Sequence, residues 1–250
     1  TKIFIYMNKL FVFGDSYSDW CNKDIESHQN GETLREEDFW FHKLADYKNL
    51  ELWNYGRSGY GVGGCFREFM TFCDLISEDD LVIFGLSWWE RIEIHAIGYG
   101  YNHNAMREHG SVSTPSKVVG HISGRDKNQS MKMFWQDLFN LSLYNFIESY
   151  DEPGLDKQEM ENTKNFVKNV CNFIKSRNLN IKFWTLPEIP NDVTPFIKDN
   201  LIDIPMKDSV FNWILDNPKY MVGGGDTNDI DWHFNRKGHD TFFNMVKDKV

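Results

Sequence analysis

The chain has 250 residues, 41% of them hydrophobic and 16% aromatic, with nine Trp and twenty Phe. That is ample material for one packed domain and excludes intrinsic disorder. Thirty-seven acidic against twenty-seven basic side chains give a formal charge of −10, which repels phosphate backbones and anionic lipid headgroups, so neither nucleic acid nor membrane is expected as a partner.

Residues 1–6 carry a short apolar patch without the longer apolar region or small-residue cleavage site of a secretory signal. They read as an N-terminal extension before Met7, and the expected location is the cytoplasm, or release from it by lysis. Leu10-Phe11-Val12-Phe13 is a continuous apolar run ending in Gly14-Asp15-Ser16, which predicts a first strand buried on both faces and followed by a tight turn. A helix is predicted over residues 39–47 (Phe39, Trp40, Leu44, Tyr47). A second short strand follows at Leu50-Glu51-Leu52-Trp53 and runs into the loop Asn54-Tyr55-Gly56-Arg57-Ser58-Gly59. Phe66, Phe69, Met70 and Cys73 recur at helical steps, and Leu81-Val82-Ile83-Phe84-Gly85 predicts a third buried strand.

From about Glu93 to Met131 the pattern dissolves into Gly, Ser, His, Asn and Lys. The stretch is too long for a routine connection and reads as an insertion, a lid or a wall beside a site. Helices are predicted over 132–149 and 156–177, separated by Pro153-Gly154. Ile181 to Leu186 is a fourth strand, stopped by Pro187 and Pro190. Pro205 opens a helix through Leu215. The chain ends in a helix from Arg236, with an N-cap candidate in His233-Phe234-Asn235 and a buried stripe of Phe242, Phe243 and Val246. Strands alternating with helices predict an α/β fold in one domain over residues 7–250: a three-layer α/β/α sandwich on a mostly parallel sheet of about five strands. Ligands in such sheets sit outside the carboxyl ends of the strands, in the loops after strands one, two and three. The scattered cysteines Cys21, Cys65, Cys73 and Cys171 form no Cys-x-x-Cys pair and read as reduced, buried thiols.

Gly14-Asp15-Ser16 after the first strand, Asn-x-Gly-x-Ser-Gly after the second, Gly85 ending the third, and a C-terminal His233 followed by Asn235 and Gly238-His239 together resemble the GDSL or SGNH hydrolase superfamily. The similarity runs in order along nearly the whole chain. It implies a flavodoxin-like sandwich and a serine esterase without cofactor or metal, acting on a small-molecule or glycan ester. It leaves the oligomeric state open. A serine hydroxyl is a weak nucleophile until an imidazole takes its proton, and a carboxylate keeps that imidazole in the right tautomer. Ser16 and His233 are the matching pair. The bland alternatives are that Ser16 only caps a helix and that His233 is an ordinary packed histidine.

The family's acid commonly precedes the histidine by three residues, where this chain has Ile230. Asp231 is the expected orienting acid, with Asp229 in reserve; a solvated acidic turn is the alternative for the cluster Asp226, Asp229 and Asp231. The resemblance implies an oxyanion hole from the backbone N–H groups of Ser16 and Gly59, with Ser87 standing where the family has an Asn donor. Gly56, Gly59 and Gly61 are otherwise turn glycines. Asp15, Trp88, Trp89 and Arg91 are candidate substrate-binding residues. Against that, the two Trp read first as core covering the sheet edge, and Arg91 could as well pair with Glu93 or Glu68. His95, His103, His109 and His121 match no compact zinc spacing. The aromatic residues near the third strand tilt the substrate towards a small acyl group such as acetyl on a carbohydrate. A lipase or thioesterase of the same superfamily and a non-catalytic glycan-binding module remain alternatives. A nucleotide-binding reading fails because an acid occupies the loop where phosphate would sit.

Overall fold

The computed structural model describes residues 7–20, 33–57, 60–87, 89, 92–97, 117–122, 155–204, 210–222 and 231–250. Four strands form the central sheet: β1 (Lys9–Phe13), β2 (Glu51–Asn54), β3 (Leu81–Leu86) and β6 (Asn180–Thr185), in the order β2-β1-β3-β6 and all parallel. The expected fifth strand shrinks to a single parallel bridge between Phe183 and Leu201, where the Ile202 N–H donates to the Phe183 carbonyl at 2.8 Å. Two further strands, β4 (Ile92–Ile97) and β5 (Lys117–Ile122), pair antiparallel within the expected insertion, and β7 (Met221–Val222) pairs antiparallel with β8 (Asp231–Phe234).

The alternation of side chains along each strand explains the three layers. Phe11 and Phe13 of β1, Val82, Phe84 and Leu86 of β3 and Ile181 and Phe183 of β6 all point to one face. There they meet Val62, Cys65, Phe66 and Phe69 of α2 (Val62–Phe72), Val167, Val170, Cys171 and Ile174 of α3 (Leu155–Ser176) and Ile197 of the short α4 (Thr194–Ile197). Leu10, Val12, Leu81, Ile83 and Trp184 point to the other face. That face is covered by Trp40, Phe41, Leu44 and Ala45 of α1 (Trp40–Lys48), Val210 and Ile214 of α5 (Val210–Asp216), and Phe242 and Val246 of α6 (Arg236–Val246). Each fully buried aromatic or large aliphatic side chain contributes roughly 1.5–3 kcal/mol.

Of the elements predicted from periodicity, those that fall wholly on described residues are present within one or two residues, apart from α2, which begins four residues before Phe66. The helix expected from Pro205 is described only from Val210. The helix expected over 132–149 lies outside the described residues, as does Cys21. Cys65, Cys73 and Cys171 are free and buried. Asn49 and Asn178 adopt left-handed backbone with φ of 53° and 51°, ending α1 and following α3 ahead of β2 and β6. Asn tolerates that conformation better than residues with bulkier side chains. The repeated Lys/Arg-Asn-Leu triplets at 48–50 and 177–179 are its sequence signal.

Candidate active site

Asp15, Ser16 and Tyr17 turn the chain at the carboxyl end of β1, with the Ser18 N–H donating to the Asp15 carbonyl at 2.9 Å. From Leu10 to Asp19 every residue is buried except Ser16, which reaches solvent in part. The turn is held from beneath. The carboxylate of Asp15, 1% exposed, accepts from the Tyr17 N–H at 3.1 Å and from the Ser87 hydroxyl at 2.6 Å, which ties it to the end of β3. The buried Trp40 donates its indole N–H to the Tyr17 carbonyl at 2.8 Å.

Ser18 crowds a glycine in each of the three motifs. A Cβ on Gly14 would lie 2.4 Å from the Ser18 Oγ, one on Gly85 2.7 Å from the same atom, and one on Gly56 2.1 Å from the Ser18 carbonyl oxygen. The loop after β2 is joined to the same turn by the Arg57 N–H, which donates to the Gly14 carbonyl at 2.9 Å, and Asn54 Oδ1 accepts from the Gly56 N–H at 2.8 Å.

His233 arrives from the far end of the chain on β8. Met221 pairs with Phe234 and Val222 with Asp231, so Trp232 and His233 occupy a bulge between the two pairs. Bulges re-aim side chains and are frequent beside active sites. The His233 ring lies 5.6 Å from the ring of Tyr17, centroid to centroid, and the Phe234 ring meets Tyr17 edge-on at 5.2 Å. The residue after Ser16 therefore packs directly on His233.

The segment after His233 anchors it. Asn235 caps α6, its Oδ1 accepting from the Gly238 N–H at 2.9 Å, while its Nδ2 donates to the carbonyls of Lys219 at 3.0 Å and Met221 at 2.9 Å. Arg236 makes a bidentate pair with Asp38 at 3.0 Å for both bonds and donates to the Thr33 carbonyl at 3.0 Å. Burial pushes the Asp38 carboxyl up, but the Arg35 backbone N–H and the Arg236 guanidinium outweigh it and hold the pKa below the ordinary value. His239, 3% exposed, packs on Phe39 at 4.7 Å, and its Nδ1 accepts from the Trp40 backbone N–H at 3.4 Å. Burial pushes its pKa down to about 3, so this imidazole is neutral and structural.

Three expectations change. The Ser87 hydroxyl spends its one proton on Asp15, so in this arrangement it is not a side-chain donor for an oxyanion. Asp15 is an internal anchor with its carboxylate turned to the protein rather than a substrate ligand. Trp89 is buried at 4% exposure in the core formed with α2 and α3, not on a sugar platform. Gly59, Trp88, Arg91 and Asp229 lie outside the described residues, as does the side chain of Asp231, although its backbone opens β8. Sequence reasoning missed Tyr17, Trp40 and Arg236. The aromatic residue directly after the serine was the available signal for Tyr17; nothing local marks Trp40 as a partner of residue 17.

No protein-family model matches the sequence, and no curated protein does. Among solved structures the chain aligns with an acetyl xylan esterase at 14% identity and a TM-score of 0.45, over 97% of this chain and 99% of that one. It aligns with a psychrotrophic esterase from a Pseudoalteromonas species at 14% identity and 0.45, over 97% and 96%. A phospholipase A1 from Streptomyces albidoflavus aligns at 9% and 0.43, over 98% and 100%. Likenesses this distant transfer no residue role. The parallel sheet carries the Gly-Asp-Ser turn, the Gly56 loop and Ser87 at the carboxyl ends of β1, β2 and β3, and His233 packs on the first of them through Tyr17.

Proposed function

We propose that the protein is a serine esterase of the GDSL or SGNH type, with Ser16 as nucleophile and His233 as general base and then acid. The observation that carries the reading is Ser16: it alone reaches solvent within a buried stretch of ten residues, and its neighbour Tyr17 packs on His233. His233 removes the hydroxyl proton as Ser16 attacks the ester carbonyl, returns it to the leaving alcohol, and activates water to release the acyl group. Asp231, two residues before His233 on the same bulged strand, is the proposed orienting acid.

The oxyanion is met by the backbone N–H groups of Ser16 and Gly59, each contributing roughly 3–4 kcal/mol. With the Ser87 hydroxyl occupied, the site works with these two donors. The proposed substrate carries a small acyl group such as acetyl, in keeping with the polar Gly, Ser, His and Asn content of the segment after β4. The occupied Ser87 is also the one observation favouring a second reading, a binding module that keeps the fold without turnover.

A fluorophosphonate probe and a short-chain aryl acetate test both readings. The esterase reading requires stoichiometric labelling at Ser16 and hydrolysis that Ser16→Ala abolishes. Absence of labelling together with equal inactivity of both proteins overturns it in favour of the binding module. Asp231→Asn should reduce kcat far more than Asp229→Asn, and the reverse order reassigns the acid.

A further inference from the structure

Both the backbone and the ring of Tyr17 are engaged. Its N–H donates to Asp15 Oδ1 at 3.1 Å, its carbonyl accepts from the Trp40 indole at 2.8 Å, and its ring, in a residue 7% exposed, touches His233 and Phe234. The backbone bonds fix the φ/ψ of the turn that presents Ser16. The ring fixes one wall of the space in which the His233 imidazole turns. Trp40, in turn, is seated by its own N–H on His239 and by edge contacts of its ring with Trp184 at 6.2 Å and Phe242 at 5.2 Å, so the anchor of Tyr17 is itself part of the core.

We infer that Tyr17 is a positioning residue that couples the nucleophile turn to His233, so that the separation of nucleophile and base is set by one side chain rather than by two independent loops. The inference rests on the esterase reading. Near-attack geometry is sensitive to displacements of an ångström, which cost on the order of a hundredfold in rate. His233 stands on a bulged strand whose ladder is interrupted at that residue. The neighbouring backbone pairing therefore does not by itself fix the ring, and the Tyr17 ring supplies a contact that the strand lacks.

The test compares Tyr17→Phe with Tyr17→Leu in the full chain. Tyr17→Phe keeps the ring and should retain kcat within about threefold. Tyr17→Leu should lower kcat and the fluorophosphonate labelling rate at Ser16 by about tenfold or more, with KM changed less than threefold; a purely structural role would instead lower the melting temperature and leave kcat of the folded fraction intact. The imidazole proton resonances of His233, assigned with His233→Asn, report the same coupling without substrate. They should keep their ring-current shift in Tyr17→Phe and lose it in Tyr17→Leu, a readout that Tyr17→Met supplies if Tyr17→Leu does not fold. Wild-type kcat and labelling in folded Tyr17→Leu or Tyr17→Met overturn the inference, as does equal impairment of Tyr17→Phe. If the wild type itself fails to label at Ser16, the esterase reading falls, whereas the ring-current result judges the Tyr17–His233 contact separately.

Discussion

The Ser87 hydroxyl donates to Asp15 Oδ2 across 2.6 Å in the buried layer beneath the site, joining the end of β3 to the turn after β1. A short residue at position 87 thus serves the carboxylate next to the proposed nucleophile. Ser87→Ala withdraws one donor from a buried carboxylate and should destabilise the fold by about 1–3 kcal/mol, measured by urea denaturation. Asp15→Ala, which takes this acceptor from both the Tyr17 N–H and the Ser87 hydroxyl, should cost at least as much.

His239 makes stability depend on acidity. Its folded-state pKa is pushed down to about 3 from the ordinary 6.5 by burial, with smaller contributions from Lys43 and His233 that outweigh Asp38. The unfolded chain therefore binds a proton between those values that the folded chain refuses. The contribution is fully present above about pH 6.5 and is lost as pH falls towards 3, at about 1.4 kcal/mol per pH unit for one proton. Asp38, held below its ordinary value, adds the same sign at lower pH. His239→Asn places an acceptor near the Nδ1 position and cannot take up the proton. Its stability curve between pH 6.5 and 4 should be flatter by about one proton, read from denaturation at a series of pH values; an unchanged slope refutes the assignment.

Asn235 separates capping from strand anchoring. Asn235→Ala loses the bond from the Gly238 N–H and both donations to Lys219 and Met221 and should cost about 2 kcal/mol, of which the cap is about 1 kcal/mol. Asn235→Asp keeps the cap but turns a carboxylate towards two carbonyls, so it should recover little. Because Met221 pairs with Phe234 beside His233, both variants should also lower the ester hydrolysis proposed for Ser16.

Two glycines should respond with opposite signs. Gly85→Ala puts a methyl group 2.5 Å from the Trp184 ring and 2.7 Å from Ser18 Oγ, and the strain should cost roughly 1–3 kcal/mol or more. Gly63→Ala, in the first turn of α2, meets its nearest atom at 3.4 Å and should be neutral or stabilising by up to about 1 kcal/mol. Thermal melts of the pair check both.

Periodicity and punctuation alone located the four strands of the parallel sheet, though not their order. Runs such as Leu10-Phe11-Val12-Phe13 and Leu81-Val82-Ile83-Phe84 are apolar at every position because both faces are covered, and glycines at their ends mark where the chain must turn closely past Ser18. The expectation that Ser16 works with His233 came only from the order of the motifs along the chain. What only the tertiary structure decided is what each polar group is bonded to. Asp15 and Ser87 lie 72 positions apart and share one hydrogen bond; Trp40 reaches Tyr17 across 23 positions; Arg236 reaches Asp38 across 198. Local sequence encodes strand, helix and turn through backbone propensity and side-chain period. A donor finds its acceptor only after the sheet has been closed around it, so two residues that looked like candidate ligands have other surroundings: Asp15 is bonded to the Tyr17 N–H and the Ser87 hydroxyl, and Trp89 is packed into the core.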